Sequence, residues 1–199
     1  MSRVKLAVAV ALLGTVMTVS TVAIAGGGGK TKTRLSGLQE VPAVLTQGSG
    51  KARLDIDSSA RTIGYTVSWE GLEGGNVTQA HIHIGQRLAN GGVAVWFCGN
   101  PSPTVTPPAG TQTCPAGASG TVSGTLTPAD VQVVEAQGLR AAETAEQRFD
   151  DLVRAIRIGV AYANVHTQNS PGGEVRGQFG DKKDHGKVHS GKGHNGRDH

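Results

Sequence analysis

The stretch KARLDIDSSARTIGYTVSWEGL, residues 51–72, sets the architecture. Ala52, Leu54 and Ile56 alternate with Lys51, Arg53, Asp55 and Asp57, the pattern of a strand with one face in a core and one in water. After a polar turn, Ile63, Tyr65, Val67 and Trp69 recur on one side of a second such strand. Outward from this pair the same grammar continues in VTQAHIHIG (77–85), VAVWFC (93–98), ASGTVSGTL (118–126), AYANVHT (161–167) and GEVRGQF (173–179). Six or seven short strands with Gly-rich turns predict a mainly β, antiparallel sandwich or barrel. Aromatic residues make up only 4% of the chain, so its core must be built mainly from Val, Ile, Leu and Ala.

Two helices are expected within this pattern. In LTPADVQVVEAQG (126–138), Thr127 stands as an N-cap, Pro128 suits the first helical position, Asp130 sits where a capping-box acid would, and Gly138 ends the run. In FDDLVRAIRIG (149–159), Phe149, Leu152, Val153 and Ile156 recur at helical spacing, with acids in the first turn and arginines in the last. The segment QNSPGG (168–173) predicts a hairpin turn between the last two strands.

The ends differ in composition. Arg3 and Lys5, an apolar run from Leu6 and the small residues Ala23 and Ala25 form the layout of a secretory signal peptide over 1–25, too interrupted for a membrane span. Residues 26–32 read as a linker, 33–179 as one domain, and 180–199, rich in Gly, Lys, Asp and His, as a disordered tail. The formal charge of +4 resides in the two ends, because residues 26–179 carry twelve cationic and twelve anionic side chains. The domain therefore has no net basic field for nucleic acid, and no transmembrane segment remains in a mature chain. This layout implies secretion or a periplasmic location, and there Cys98 and Cys114, flanking a Pro-rich loop, read as one disulfide. Metal ligation by the two thiols is the rival reading, with a spacing that matches no common zinc pattern.

Motifs for catalysis are missing. GGGGKT at Gly26 lacks the first glycine of a phosphate-binding loop, where Ile24 stands, and no strand precedes it. No G-x-S-x-G elbow occurs. Chemistry is left to the histidines. On one strand His81 and His83 point the same way, with Cα atoms ~6.6 Å apart. His166 shares a face with Tyr162 and Asn164 on a later strand, and Glu174, Arg176 and Gln178 alternate on the last. Should these strands be neighbours, the three imidazoles meet the minimum for an open copper or zinc site; otherwise they form a polar, hydrogen-bonded layer. His185, His189, His194 and His199 in the tail offer weak metal capture or merely a solvated terminus.

Taken together, LSGLQEVPAV (35–44), AHIHIG (80–85) and YANVHTQNSPGGEVRGQF (162–179) resemble a CHRD domain, the module named after chordin, over residues 33–179. The resemblance implies an extracellular, Greek-key, immunoglobulin-like β-sandwich, distantly similar to copper–zinc superoxide dismutases, whose copper-binding H-x-H is similar to His81-Ile82-His83. No histidine lies between His83 and His166, so a mononuclear site is the most the chain can assemble. Two functions are the expectations: a non-enzymatic envelope module binding an extracellular macromolecule, or a mononuclear copper or zinc protein, superoxide-dismutase-like in chemistry, using His81, His83 and His166.

Overall fold

The computed structural model describes residues 28–180; the signal-peptide and tail readings fall outside them. Eight strands, all antiparallel, form one sheet: β1 (Gly29–Ser36), β2 (Ser49–Asp57), β3 (Thr62–Glu70), β4 (Val77–Ile84), β5 (Val93–Gly99), β6 (Gly120–Leu126), β7 (Ala161–Thr167) and β8 (Val175–Gln178). Their order is β5-β4-β7-β8-β1-β2-β3-β6, which makes β5 and β6 the two edge strands. The sheet rolls until those edges face each other across a nearly closed sandwich or barrel. Tyr65 on β3 donates to the carbonyl of Phe97 on β5 (2.9 Å), their rings lie 4.8 Å apart, and the N–H of Gln132, just past β6, donates to Ala94 O (2.8 Å).

The alternation read in residues 51–69 is what fills the roll. Ala52, Leu54, Ile56, Ile63, Val67 and Trp69 are buried in one apolar core, joined by Val122 and Leu126 of β6 and Ile82 of β4. Cys98 and Cys114 form a disulfide, pinning the β5–β6 loop at its base. Beside it, the side chain of Asn100 donates to Val77 O (2.9 Å) and accepts from the N–H of Cys114 (3.1 Å), which satisfies the backbone at the base of the loop.

β1 departs from expectation: it begins at Gly29, inside the segment that reads as linker. The inward positions of its first half, Thr31 and Thr33, are hydroxylic, Leu35 being the first apolar one, and it is held by full backbone pairing to β2 from Gly29↔Ile56 to Ser36↔Ser49. Of the two helices, only the second is α-helical, α1 (Ala145–Ile158). The first segment closes into two single 3-10 turns, Pro128–Asp130 and Glu135–Gln137. Asp130 does cap Thr127, accepting from its N–H (2.7 Å) and hydroxyl (2.8 Å), but Val131 is extended and Gln132 is drawn onto β5. Valines at 131, 133 and 134 have little helical preference with which to resist.

Helix α1 starts earlier than its apolar spacing predicts, because Thr144 and Gln147 form a reciprocal capping box: the Thr144 hydroxyl accepts from Gln147 N (3.3 Å) and the Gln147 amide oxygen accepts from Thr144 N (2.8 Å). Phe149, Leu152, Val153 and Ile156 face the core, and α1 packs on β7, the strand it feeds. Thr144→Ala is expected to lower the unfolding free energy by ~1 kcal/mol, measured by urea denaturation. Among the described residues no helix is long and apolar enough to cross a membrane.

Candidate metal centre

Strands β4, β7 and β8 are buried on both faces. On one face Ala80, Ile82, Ala163 and Val165 meet the apolar core; on the other stand His81, His83, Tyr162, Asn164, His166, Arg176 and Gln178. This second face is roofed by the segments 37–48 and 85–92. β4 and β7 are neighbours, with His81↔Asn164, His83↔Tyr162 and Gln79↔His166 in register. His166 therefore lies diagonally across from His81, and their ring centroids are 4.6 Å apart. One ring nitrogen from each of His81, His83 and His166 lies within 4.8 Å of the other two.

The hydrogen bonds fix the protons. His83 Nδ1 meets Gly91 O (2.9 Å) and His166 Nδ1 meets Pro171 O (2.8 Å). A carbonyl oxygen only accepts, so both rings carry their proton on Nδ1 and leave a lone pair on Nε2. His83 Nε2 lies 3.0 Å from His81 Nδ1, which must then donate. That leaves the Nε2 lone pairs of His81 and His166 buried and, among the described residues, without a partner. Burial also drives the rings to neutrality: it holds His81 well below its ordinary value and lowers His83 and His166 to about 4.

Neutral imidazoles with Nδ1–H anchored on backbone carbonyls and Nε2 turned inward are the arrangement that metal-binding histidines take. Two nitrogens on one tetrahedral zinc, each at ~2.0–2.1 Å, are ~3.3 Å apart, close to the 3.0 Å between His81 Nδ1 and His83 Nε2. The residues present fit a mononuclear, all-nitrogen site with three protein ligands.

Around the triad lies a second layer. Tyr162 stacks on His83 (4.7 Å, planes 8° apart), and the Arg176 guanidinium lies 4.4 Å from the centre of the same Tyr162 ring. Trp96 of β5 packs edge-on against His81 at 4.6 Å. Arg176 Nε donates to Glu40 Oε2 (2.8 Å), both side chains being buried, and Glu40 Oε1 accepts from Asn164 Nδ2 (2.8 Å). Arg176 also donates to Ala89 O (3.1 Å), and Asn90 Nδ2 donates to Val41 O (3.0 Å), so one ion pair ties both roofing segments to β7 and β8. Burial raises the pKa of the Glu40 carboxyl, outweighing the opposing pull of Arg176.

Of Glu174, Arg176 and Gln178, which alternate on the last segment, only Arg176 reaches the histidines, through Tyr162. Glu174 instead accepts from Thr46 Oγ1 (2.7 Å), Thr167 Oγ1 (2.8 Å), Glu73 N (2.7 Å) and Gly74 N (2.9 Å), and Gln178 donates to Gly85 O and Gly159 O (both 2.8 Å). Both stitch loops together. Two glycines serve the centre directly. A Cβ on Gly91 would sit 1.5 Å from Ile84 O, and one on Gly173, which has φ +121°, would sit 2.6 Å from Asn164 Nδ2. Sequence reasoning misses Trp96 and the carbonyls of Gly91 and Pro171: the carbonyls carry no side-chain signature, and Trp96 reaches His81 only through the β4–β5 pairing, which is irregular at that point.

No curated protein and no solved structure matches the chain. The family model of the CHRD domain matches residues 31–179, which include every strand except the first two residues of β1 and every side chain of the centre, and the chain belongs to that family.

Proposed function

We propose that the protein is an exported, non-enzymatic binding module of the CHRD family, and that its buried histidine triad holds one copper or zinc ion. The observation that carries the metal reading is the convergence of three buried imidazoles, one ring nitrogen of each within 4.8 Å of the other two, with a buried Nε2 lone pair on His166 that has no partner among the described residues. Leaving such an acceptor unpaired costs ~1–3 kcal/mol, a cost that an ion on His166 Nε2 would remove. Export is supported by the Cys98–Cys114 disulfide and by the Arg/Lys-led apolar run at the N-terminus.

His83 and His166 would ligate through Nε2, held in place by their carbonyl partners. An ion held through His81 Nδ1 would shift that ring's proton to Nε2, so all three imidazoles would stay neutral and uptake near pH 7 would release no proton from them. A three-histidine set adds no protein carboxylate, which suits zinc or copper over calcium or magnesium.

The test is elemental analysis of the full chain after dialysis against weak chelator, compared with His83→Ala and His166→Gln. The wild type is expected to retain one more ion per chain than either variant, with the tail histidines common to all. Equal metal content in wild type and variants, each folded by circular dichroism, would refute the metal reading.

A further inference from the structure

The outward positions of β1 and β2 carry Lys30, Lys32 and Arg34 against Asp55, Arg53 and Lys51. Only the first pair is complementary, with Lys30 Nζ 3.2 Å from Asp55. The other two, Lys32↔Arg53 and Arg34↔Lys51, set like charges directly opposite each other, an arrangement that destabilises a sheet. All four side chains are exposed, and none has an ion-pair partner among the described residues. The cross-strand rows continue into hydroxyls: Arg53 faces Thr66 and then Ser123, while Lys51 faces Ser68 and then Thr121.

A groove of about 510 Å³ opens where the second row ends, lined by Lys51, Ser68, Trp69, Glu70, Ser119 and Thr121. Its size is within the ~300–1,000 Å³ of small-ligand sites. The Glu70 carboxylate accepts weakly from Ser49 Oγ (3.4 Å) and keeps further acceptor capacity.

We propose that this face binds an acidic polysaccharide, its anionic groups on the Lys32/Arg53 and Arg34/Lys51 block and a neighbouring sugar unit in the groove beside Trp69. Four cations held against their own repulsion call for an anion. Serine and threonine hydroxyls and one carboxylate acceptor match sugar hydroxyls. The face has no exposed aromatic ring on which a base could stack and no exposed apolar side chain to enter a lipid. The charge balance of the domain leaves only a local field, so binding is short-ranged and weakened by salt. The face shares no residue with the histidine triad, so either proposal can fail alone.

The full chain would be titrated against heparin as the sulfated probe and polygalacturonate as the carboxylated one. Dextran would be the neutral control and single-stranded DNA the non-glycan polyanion. Expected are binding to at least one acidic glycan more tightly than to DNA, none to dextran, and at least a tenfold loss for Lys51→Thr/Arg53→Thr. Arg140→Ser/Arg154→Ser, which removes the same charge elsewhere, should bind like wild type. Because repulsion is relieved, Lys51→Thr/Arg53→Thr should melt no lower than wild type. Unchanged binding by that variant, a lower melting temperature for it, or DNA bound as tightly as the glycans would overturn the proposal.

Discussion

Replacing Arg176 by methionine is expected to lower the unfolding free energy by about 3–5 kcal/mol, the usual consequence of stripping one partner from a buried ion pair. Glu40 would keep only neutral donors, the Asn164 amide and the Val41 backbone, while the segments 37–48 and 85–92 would lose the cation that ties them to β7 and β8. The sign of its pH dependence separates this cause from simple loss of packing. Burial already raises the Glu40 pKa. A group raised in the fold supports it at low pH and loses that support as pH rises through the folded value. Without the guanidinium the Glu40 value rises further, so the deficit relative to wild type should grow as pH rises from about 5 to 7.5. The paired change Glu40→Leu/Arg176→Met should recover most of the loss, since a hydrophobic replacement of both partners is often neutral. Urea denaturation of wild type, Arg176→Met, Glu40→Leu and the double variant at two pH values measures all of this, and a deficit that stays constant with pH would assign the effect to packing.

How much of the fold is legible in the sequence depends on the range of the interaction concerned. The alternation of Ala52, Leu54 and Ile56 with charges is a local signal, written by one strand's two environments, and it survives into the fold unchanged. β1 reads as linker at its start because Lys30, Thr31, Lys32, Thr33 and Arg34 present no apolar face; its strand character comes from pairing with β2, which a single segment does not display. For residues 126–138 the cap is legible and the loss of the helix is not, since Thr127 and Asp130 specify one turn while the valines and the Ala94 carbonyl decide the path of the chain beyond it. The start of α1 is written in Thr144 and Gln147 but is overshadowed by the apolar spacing from Phe149.

The same division runs through the centre. Strand parity places His81 and His83 together without help from any other residue. Their meeting with His166 depends on β4 lying beside β7 in one particular register; a shift of a single residue would turn His166 into the apolar core. The atoms that fix the ring protons, Gly91 O and Pro171 O, belong to backbone and leave no trace in residue type. The glycine at 91 is the nearest thing to a sign of them.

Acidification is expected to destabilise the metal-free fold more than any single surface change. His83 and His166 titrate at about 4 in the fold, and His81 lies well below its ordinary value, whereas in an unfolded chain each would titrate near ~6.5. A group lowered in the fold gives its full stabilisation above the unfolded value and loses it as pH falls toward the folded one, so the loss runs from about pH 6.5 down to about pH 4. At ~1.4 kcal/mol per pKa unit, His83 and His166 together remove on the order of 5 kcal/mol by the acid end of that window. Glu40 acts with the opposite sign but is one group against three. A loss of this size is comparable with the whole stability of many domains, ~5–15 kcal/mol, so unfolding near about pH 4 to 5 is the expected result. Urea midpoints taken between about pH 7.5 and 4 should fall steeply for the wild type and more gently for His166→Phe, which keeps the ring volume and removes one protonation. If the triad holds zinc, saturating metal should raise stability above about pH 6.5 and steepen the decline below it, because protons then compete with the ion for the same lone pairs. A flat profile from about pH 7 to 4.5 in the metal-free protein would mean that the three rings accept protons in the fold, and the closed, neutral triad would have to be abandoned.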